Sequence, residues 1–274
     1  VTNKIGVVGP FTGPRSAYGD LLKQIINQSS LPDYVDILWG DDQGQKLAGE
    51  QVAKEFSHQS PLAVLGHFNS DSAYAAAKIY SLHHIPLLLP ASTSLLLSEL
   101  PYVYRICAHD QLQVDALVNF LSAYRKRRFY IWTDESAYSQ RLKALLTQRD
   151  TGPWFQGPAS AMTEDDIVIL LGAHHAIAKY LIPLKQSLPT IMALCCDDCA
   201  IPEFYLWMKE FKNIWIATPH PGFADCIQTA ADLVLGYLQS KSQSSLNDWL
   251  NKNSLGFLNG QSRHSYFKLL ENKI

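Results

Sequence analysis

Hydroxyl and acidic side chains recur at one kind of place in this sequence, just after short apolar runs. Tyr18 follows the run at 4–9 by way of the turn-rich Gly9-Pro10-Phe11-Thr12-Gly13-Pro14. Ser70 follows the run at 62–65 through Gly66-His67-Phe68-Asn69, and Ala91 and Thr93 lie in Pro90-Ala91-Ser92-Thr93-Ser94 after the run at 86–89. Tyr138 comes shortly after the run at 129–132, beyond Thr133-Asp134. Hydroxyls and main-chain amides in such loops hold a small carboxylate without a catalytic base. One hydroxyl of this kind reads as a cap or a turn; four in comparable positions point to a binding cleft. Three acid pairs stand beside them, Asp41-Asp42, Asp165-Asp166 and Asp197-Asp198. Capping and turn roles account for most of these. Asp197 alone sits where a strand delivers a charge toward a cleft, so it joins the list.

Motifs of covalent or metal chemistry are missing. The sequence contains no G-x-S-x-G elbow, no Walker A loop, no H-E-x-x-H and no G-x-G-x-x-G. His83-His84 and His174-His175 are adjacent pairs that point to different sides of a helix and chelate one ion poorly. Five cysteines, at 107, 195, 196, 199 and 226, are too few and too unevenly spaced for a disulfide scaffold. Cys196-Asp197-Asp198-Cys199 has redox or metal-like spacing, but no second pair accompanies it, and buried or loop thiols are the plainer expectation. No catalytic residue, metal or cofactor is therefore assigned.

These residues need a frame that delivers them to one edge. Apolar runs at 4–9, 34–39, 62–65, 86–89 and 102–106 read as strands, with amphipathic helices over about 18–28, 46–58 and 71–83 between them. After a helix over about 111–124 the rhythm restarts, with strands at 129–132, 166–171, 190–194 and 213–217. Helices follow near 138–147, 174–186, 202–211, 223–240 and 246–253, then an extended tail. Residues 150–153 read as a turn and 153–156 as at best a short strand. This alternation calls for parallel sheets with helices on both faces. The restart suggests two lobes, 1–118 with 219–256 and 119–218 with 257–274. Loops at the carboxyl ends of neighbouring parallel strands are where open α/β sheets hold ligands.

Composition agrees with a packed, globular chain. Of 274 residues, 47% are hydrophobic and 18% charged, which supports a substantial core. A net charge of −2 gives no general attraction to nucleic acid or to anionic membranes. The basic run Arg125-Lys126-Arg127-Arg128 reads as a solvated helix end. No apolar run approaches the roughly 20 residues of a membrane helix, and no leader is visible before the first strand.

The opening Val7-Val8-Gly9-Pro10-Phe11-Thr12-Gly13-Pro14, followed by Ala17-Tyr18-Gly19-Asp20, resembles the start of branched-chain amino-acid-binding proteins. These are type I periplasmic substrate-binding proteins of ABC transporters. The strand ending in Asp41-Asp42, then Val64-Leu65-Gly66-His67 with Ser70, then Pro90-Ala91-Ser92-Thr93, fall in that family's order and spacing. Asp134 and Tyr138 extend the match into the second lobe. The resemblance implies two Rossmann-like lobes joined by three crossings, with a ligand cleft between them and no catalysis. It implies that Ser70 and Thr93 bind a ligand carboxylate, that the Ala91 carbonyl accepts from an ammonium, and that Tyr18 and Tyr138 line the pocket. Asp197 is the nearest match to the acid that completes the ammonium site, and Ala173 or His174 stands where the family carries an aromatic residue. The chain departs from the family in being short, with a clipped turn after the first helix, no helix at 150–165 and an abbreviated segment after Pro221.

The resulting expectation is a periplasmic or extracellular solute-binding protein that captures an amino acid or a similar small carboxylate or zwitterion. Its partners would be that small molecule and an ABC permease, with no nucleic acid and no insertion into a membrane. A ligand-sensing domain of a receptor, working with a signalling partner, is the alternative on the same fold. A small α/β enzyme using Asp197 or Cys196 is the third reading.

Overall fold

The computed structural model describes residues 3–149, 152, 154–155, 157–253, 257–258, 261–262 and 265–272. Of the turn and short strand expected at 150–156, positions 150, 151, 153 and 156 lie outside the described residues. The chain divides into two compact units, Val1–His109 with Pro221–Ser265, and Asp110–His220 with Tyr266–Ile274. It therefore passes from one to the other three times, and the helix that contains position 118 belongs wholly to the second unit.

The first unit alternates strand and helix as the apolar runs require: β1 (Lys4–Gly9), α1 (Ser16–Gln28), β2 (Asp36–Asp41), α2 (Lys46–Gln59), β3 (Ala63–Leu65), α3 (Ser70–Leu82), β4 (Leu87–Leu89) and β5 (Val103–Arg105). β2 begins two residues later than the 34–39 run suggests, because Leu31–Asp33 with Pro32 near its start forms a single 3-10 turn first. β1 through β5 are parallel neighbours, in the spatial order β5-β4-β3-β1-β2. β1 and β3 are buried along nearly their whole length, so their sequences are continuous apolar runs without alternation. Val8, Phe56, Val64, Ala76, Tyr80 and Leu87 form the core where α2 and α3 cover the sheet.

The second unit repeats the pattern with α4 (Asp110–Leu121), β6 (Phe129–Thr133), α5 (Ala137–Arg149), β7 (Ile167–Leu171), α6 (His174–Ser187), β8 (Met192–Cys195), α7 (Pro202–Trp207) and β9 (Ile214–His220). Its sheet is parallel from β6 to β9. The chain then returns to the first unit through α8 (Phe223–Gln239) and α9 (Leu246–Lys252), and β10 (Phe257–Leu258) and β11 (Gln261–Ser262) extend that sheet beyond β5. The tail is more ordered than an extended segment, since β12 (Tyr266–Glu271) pairs antiparallel with β9. Parallel cores with antiparallel edges make both sheets mixed.

The basic run at 125–128 is not wholly a solvated helix end. Arg128 makes a two-pronged ion pair with the buried carboxylate of Asp166, both contacts at 2.8 Å, and its guanidinium lies 4.6 Å from the Phe155 ring centre. Its partner's low exposure explains the departure: Asp166 is buried where β7 begins and needs a cation.

Candidate functional site

In the first unit, the loops after β1, β3 and β4 leave the same edge of the sheet because those strands are parallel neighbours. Gly66 opens the middle loop at a φ of +120°, and a Cβ there would stand 1.8 Å from the Val8 carbonyl oxygen. Only glycine lets the chain turn this close to β1. The loop runs through His67, Phe68 and Asn69 into α3, whose first residue is Ser70. Asn69 gives the helix no side-chain cap, so the N–H groups of its first turn, which have no intrahelical acceptor, face whatever stands before them. Helix dipole and amides together favour an anion there.

Thr93, in the adjoining loop, is 2% exposed, and Ala91 is buried. Among the described residues, neither the Ser70 nor the Thr93 hydroxyl has a hydrogen-bond partner. Tyr18, on α1, is buried against Phe68, with ring centres 5.4 Å apart, and against Phe223 at the start of α8, at 6.1 Å. Phe68 and Phe223 lie 6.5 Å apart, closing an aromatic trio beside the loop that carries Ser70. Tyr18, Ser70, Ala91 and Thr93 thus belong to adjoining loops and helix starts of one unit.

In the second unit, Tyr138 and Asp197 are brought into direct contact, the phenol donating to the Asp197 carboxylate. Asp197 follows β8, is buried, and its backbone N–H donates to the Gln113 side chain at 3.1 Å. Burial raises its carboxyl to about 7; the Tyr138 bond opposes this, and the nearby Asp110 and Asp198 charges add to it. The Tyr138 phenol is pushed well above its ordinary value by burial and by the Asp197 charge. Gly172, at a φ of +146°, turns the chain after β7 against Asp134, whose carboxylate accepts from Ala173 N–H at 2.8 Å and from the Ser136 hydroxyl. His174 is fully buried, with Nε2 2.9 Å from Glu203 and its ring stacked on Trp207.

One cluster escaped sequence reasoning. Asp42, assigned above to the cap and turn acids, is completely buried with His67 and Ser72. Its carboxylate lies 2.7 Å from His67 Nδ1 and accepts from the Ser72 hydroxyl at 2.7 Å. The His67 contact, through its hydrogen bond and charge, helps to hold Asp42 below the usual carboxylate range against burial, which acts in the other direction and is the largest influence. The three residue types are those of hydrolytic triads, but the geometry is wrong for one. Serine and carboxylate both sit at Nδ1, 3.0 and 2.7 Å away, so no base faces the hydroxyl from Nε2. The sequence offered no signal for it, since β1 lies between the strands that precede Asp42 and His67 and only the sheet order brings the two together.

Chemistry by thiol is equally unsupported. All five cysteines are free and buried, and Cys196 Sγ–H donates to the Gly172 carbonyl at 3.2 Å. Burial and the neighbouring Cys195 and Cys196 push the Cys199 thiol well up, which suppresses its thiolate. Among the described residues no group of three or more His, Cys, Asp and Glu side chains could hold a metal ion.

Two α/β units carry these loops on parallel strand ends, and among the described residues no catalytic triad or metal cluster is assembled. The chain belongs to the periplasmic binding protein family, whose model matches residues 2–149, and that family is one of binding proteins and not of enzymes. A Leu/Ile/Val-binding protein homolog 2 from Brucella abortus is 25% identical over 150 residues, covering 50% of this chain and 40% of that protein. The matched region thus spans under half the length of that relative. The substrate-binding protein LivJ from Streptococcus pneumoniae, solved in complex with isoleucine, superposes with a TM-score of 0.84 at 15% identity, over 99% of this chain and 100% of that one. The leucine-binding protein LivK from Thermotoga maritima superposes with a TM-score of 0.77 at 21% identity, over 90% and 86% of the two chains. At these identities the likeness establishes the type I fold. Among the described residues no helix is long and apolar enough to cross a membrane.

Proposed function

We propose that this protein is an extracytoplasmic solute-binding protein that captures an amino acid, or a similar small carboxylate or zwitterion, for ABC-type uptake. The observation that carries this reading is the pair of unpartnered hydroxyls on adjoining loops, Ser70 at the uncapped N-terminus of a 13-residue helix and Thr93 in the loop after β4. A ligand carboxylate there accepts from both hydroxyls and from first-turn amides, and the Ala91 carbonyl accepts from the ammonium. Tyr18 provides an apolar wall with Phe68 and Phe223. Within the second unit, Tyr138 and Asp197 are the residues proposed to meet a ligand, Asp197 being able to offer a counter-charge to an ammonium. Solved proteins of the same fold hold isoleucine and leucine, which supports this class of small molecule. The periplasmic family supports an extracytoplasmic place and an ABC permease as partner.

A thermal-shift screen of refolded, ligand-free protein against amino acids, small carboxylates and aromatic acids tests the reading. A ligand at 100 times its Kd stabilises the fold by about 2.7 kcal/mol. Absence of any shift across the amino acids and carboxylates at millimolar concentration would overturn it. So would retention of wild-type binding in both Ser70→Ala and Thr93→Ala.

A further inference from the structure

Ser92 stands between the two residues assigned to the headgroup, yet its side chain cannot reach a ligand. It is completely buried, and its hydroxyl donates to the His67 carbonyl at 2.7 Å and to the Phe68 carbonyl at 3.1 Å. One hydroxyl therefore ties the loop after β4 to the loop after β3, at the two residues that lead into Asn69 and Ser70. The Ser92 carbonyl is held from another direction by the Cys107 thiol, at 3.4 Å.

The far side of this joint is equally constrained. His67 is gripped through Nδ1 by Asp42, and Ser72 on α3 donates to the same carboxylate. Asp42 is itself fixed by accepting from Gly44 N–H at 2.9 Å. A buried ion pair or hydrogen-bonded acid of this kind is costly to form and gains little stability over apolar packing. It does hold geometry: the residue after β2, the loop after β3, α3 and the loop after β4 are joined through Asp42, His67, Ser72 and Ser92.

We propose that Ser92 is the positioning residue of the headgroup site, setting Thr93 and Ser70 at a fixed separation, with Asp42 and Ser72 anchoring His67 behind it. The proposal rests on the headgroup reading above and adds to it residues that touch no ligand. Without the Ser92 hydroxyl, the two loops keep their own contacts but lose their register with each other. The helix N-terminus and Thr93 then no longer present donors to the same carboxylate.

The test uses L-leucine as the probe, with Kd measured by calorimetry on wild type, Ser92→Ala, Ser92→Cys, Thr93→Ala, the Ser92→Ala/Thr93→Ala double variant and a Ser57→Ala control. Ser57 is another buried hydroxyl, donating to the Lys54 carbonyl on α2 at 2.8 Å, and answers for a general loss of stability. Ser92→Cys exchanges the hydroxyl for a larger, weakly donating thiol and tests the same point if Ser92→Ala does not fold. The expected result is about tenfold weaker binding in the Ser92 variants, wild-type binding in Ser57→Ala, and a double variant within about twofold of Thr93→Ala alone. Wild-type affinity in the Ser92 variants, or full additivity with Thr93→Ala, overturns the proposal. Loss of binding in Ser92→Ala with none in Thr93→Ala counts against the headgroup reading instead. Hydrogen exchange of the ligand-free protein decides the matter even if L-leucine does not bind. Ser92→Ala should speed exchange in segments 66–72 and 90–95 together, and faster exchange in 90–95 alone overturns the proposal.

Discussion

In the first unit, the loop after β3 runs from Gly66 into α3 and ends on Ser70, a hydroxyl with no partner among the described residues. In the second, the chain after β8 runs through Cys196 and ends on Asp197, an acid already engaged by Tyr138. The same strand-to-helix architecture thus presents neutral donors in one unit and an ionisable acceptor in the other. The buried acid of the first unit is Asp42, and it lies behind the loop, 2.7 Å from His67 Nδ1. The acid of the second is in the loop itself, with Asp110 and Asp198 adding negative charge. A neutral donor set is ready for a carboxylate at any pH. An acid raised to about 7 must shed its proton before it can meet an ammonium.

The comparison breaks most visibly at Asp42. Replacing it with Ala leaves the His67 ring buried without its acceptor, and should cost about 3–5 kcal/mol of stability. Urea unfolding followed by circular dichroism measures this; a loss under about 1 kcal/mol would show that the cluster is not an obligate part of the core.

Asp197 should respond in the opposite sense. Its folded value, about 7, lies above the ordinary 3.8. Its contribution to stability is therefore present below pH 4 or so and lost as the pH rises through about 7. Asp197→Asn should stabilise the protein at pH 8 by roughly 2–4 kcal/mol and change little at pH 4. Equal melting temperatures of variant and wild type at both pH values would contradict the difference drawn between the units.

Thr93→Ala should weaken binding of an amino-acid ligand by about 1.5–3 kcal/mol, the value of a hydrogen bond to a charged group, with the unfolding midpoint unchanged. Calorimetric titration at pH 8 reads it directly. Affinity in the wild type should fall as the pH drops through about 7, since protonated Asp197 no longer offers a negative charge to an ammonium. A flat profile between pH 5 and pH 8 would remove Asp197 from the site.

The smallest effect is expected of Tyr138→Phe, which deletes the donor that partly offsets burial of Asp197. The midpoint of that pH profile should move upward by about one unit at most. No movement would mean that the phenol and the carboxylate are not coupled in solution.

Much of this frame was legible in the sequence. Strand–helix alternation identified both α/β units, because buried parallel strands must be continuous apolar runs, as 4–9 and 167–171 are. The positions of Ser70 and Thr93 followed from what comes after such runs, whereas Ala91 came only from the family resemblance. Two acids fared differently. Asp42 carried the same local signature as Asp41, which does serve a turn by accepting from Phe11, Thr12 and Gln43 N–H groups. Adjacent residues on a strand end point to opposite faces, so one reached the surface loop and the other the core.

What the sequence determined by itself is local and periodic: which segments are strands, which are helices, and which loops stand at strand ends. Those properties depend on neighbours a few residues apart. Pairings made across long stretches of chain belong to the tertiary structure alone. Asp42 meets His67 across 25 residues, Ser92 meets His67 across 25, and Tyr138 meets Asp197 across 59. Nothing in the spacing encodes such contacts, because they depend on which strands become neighbours and in what register. Packing therefore decided which hydroxyls keep no protein partner among the described residues, which one bonds across two loops, and which acid is raised toward neutral pH.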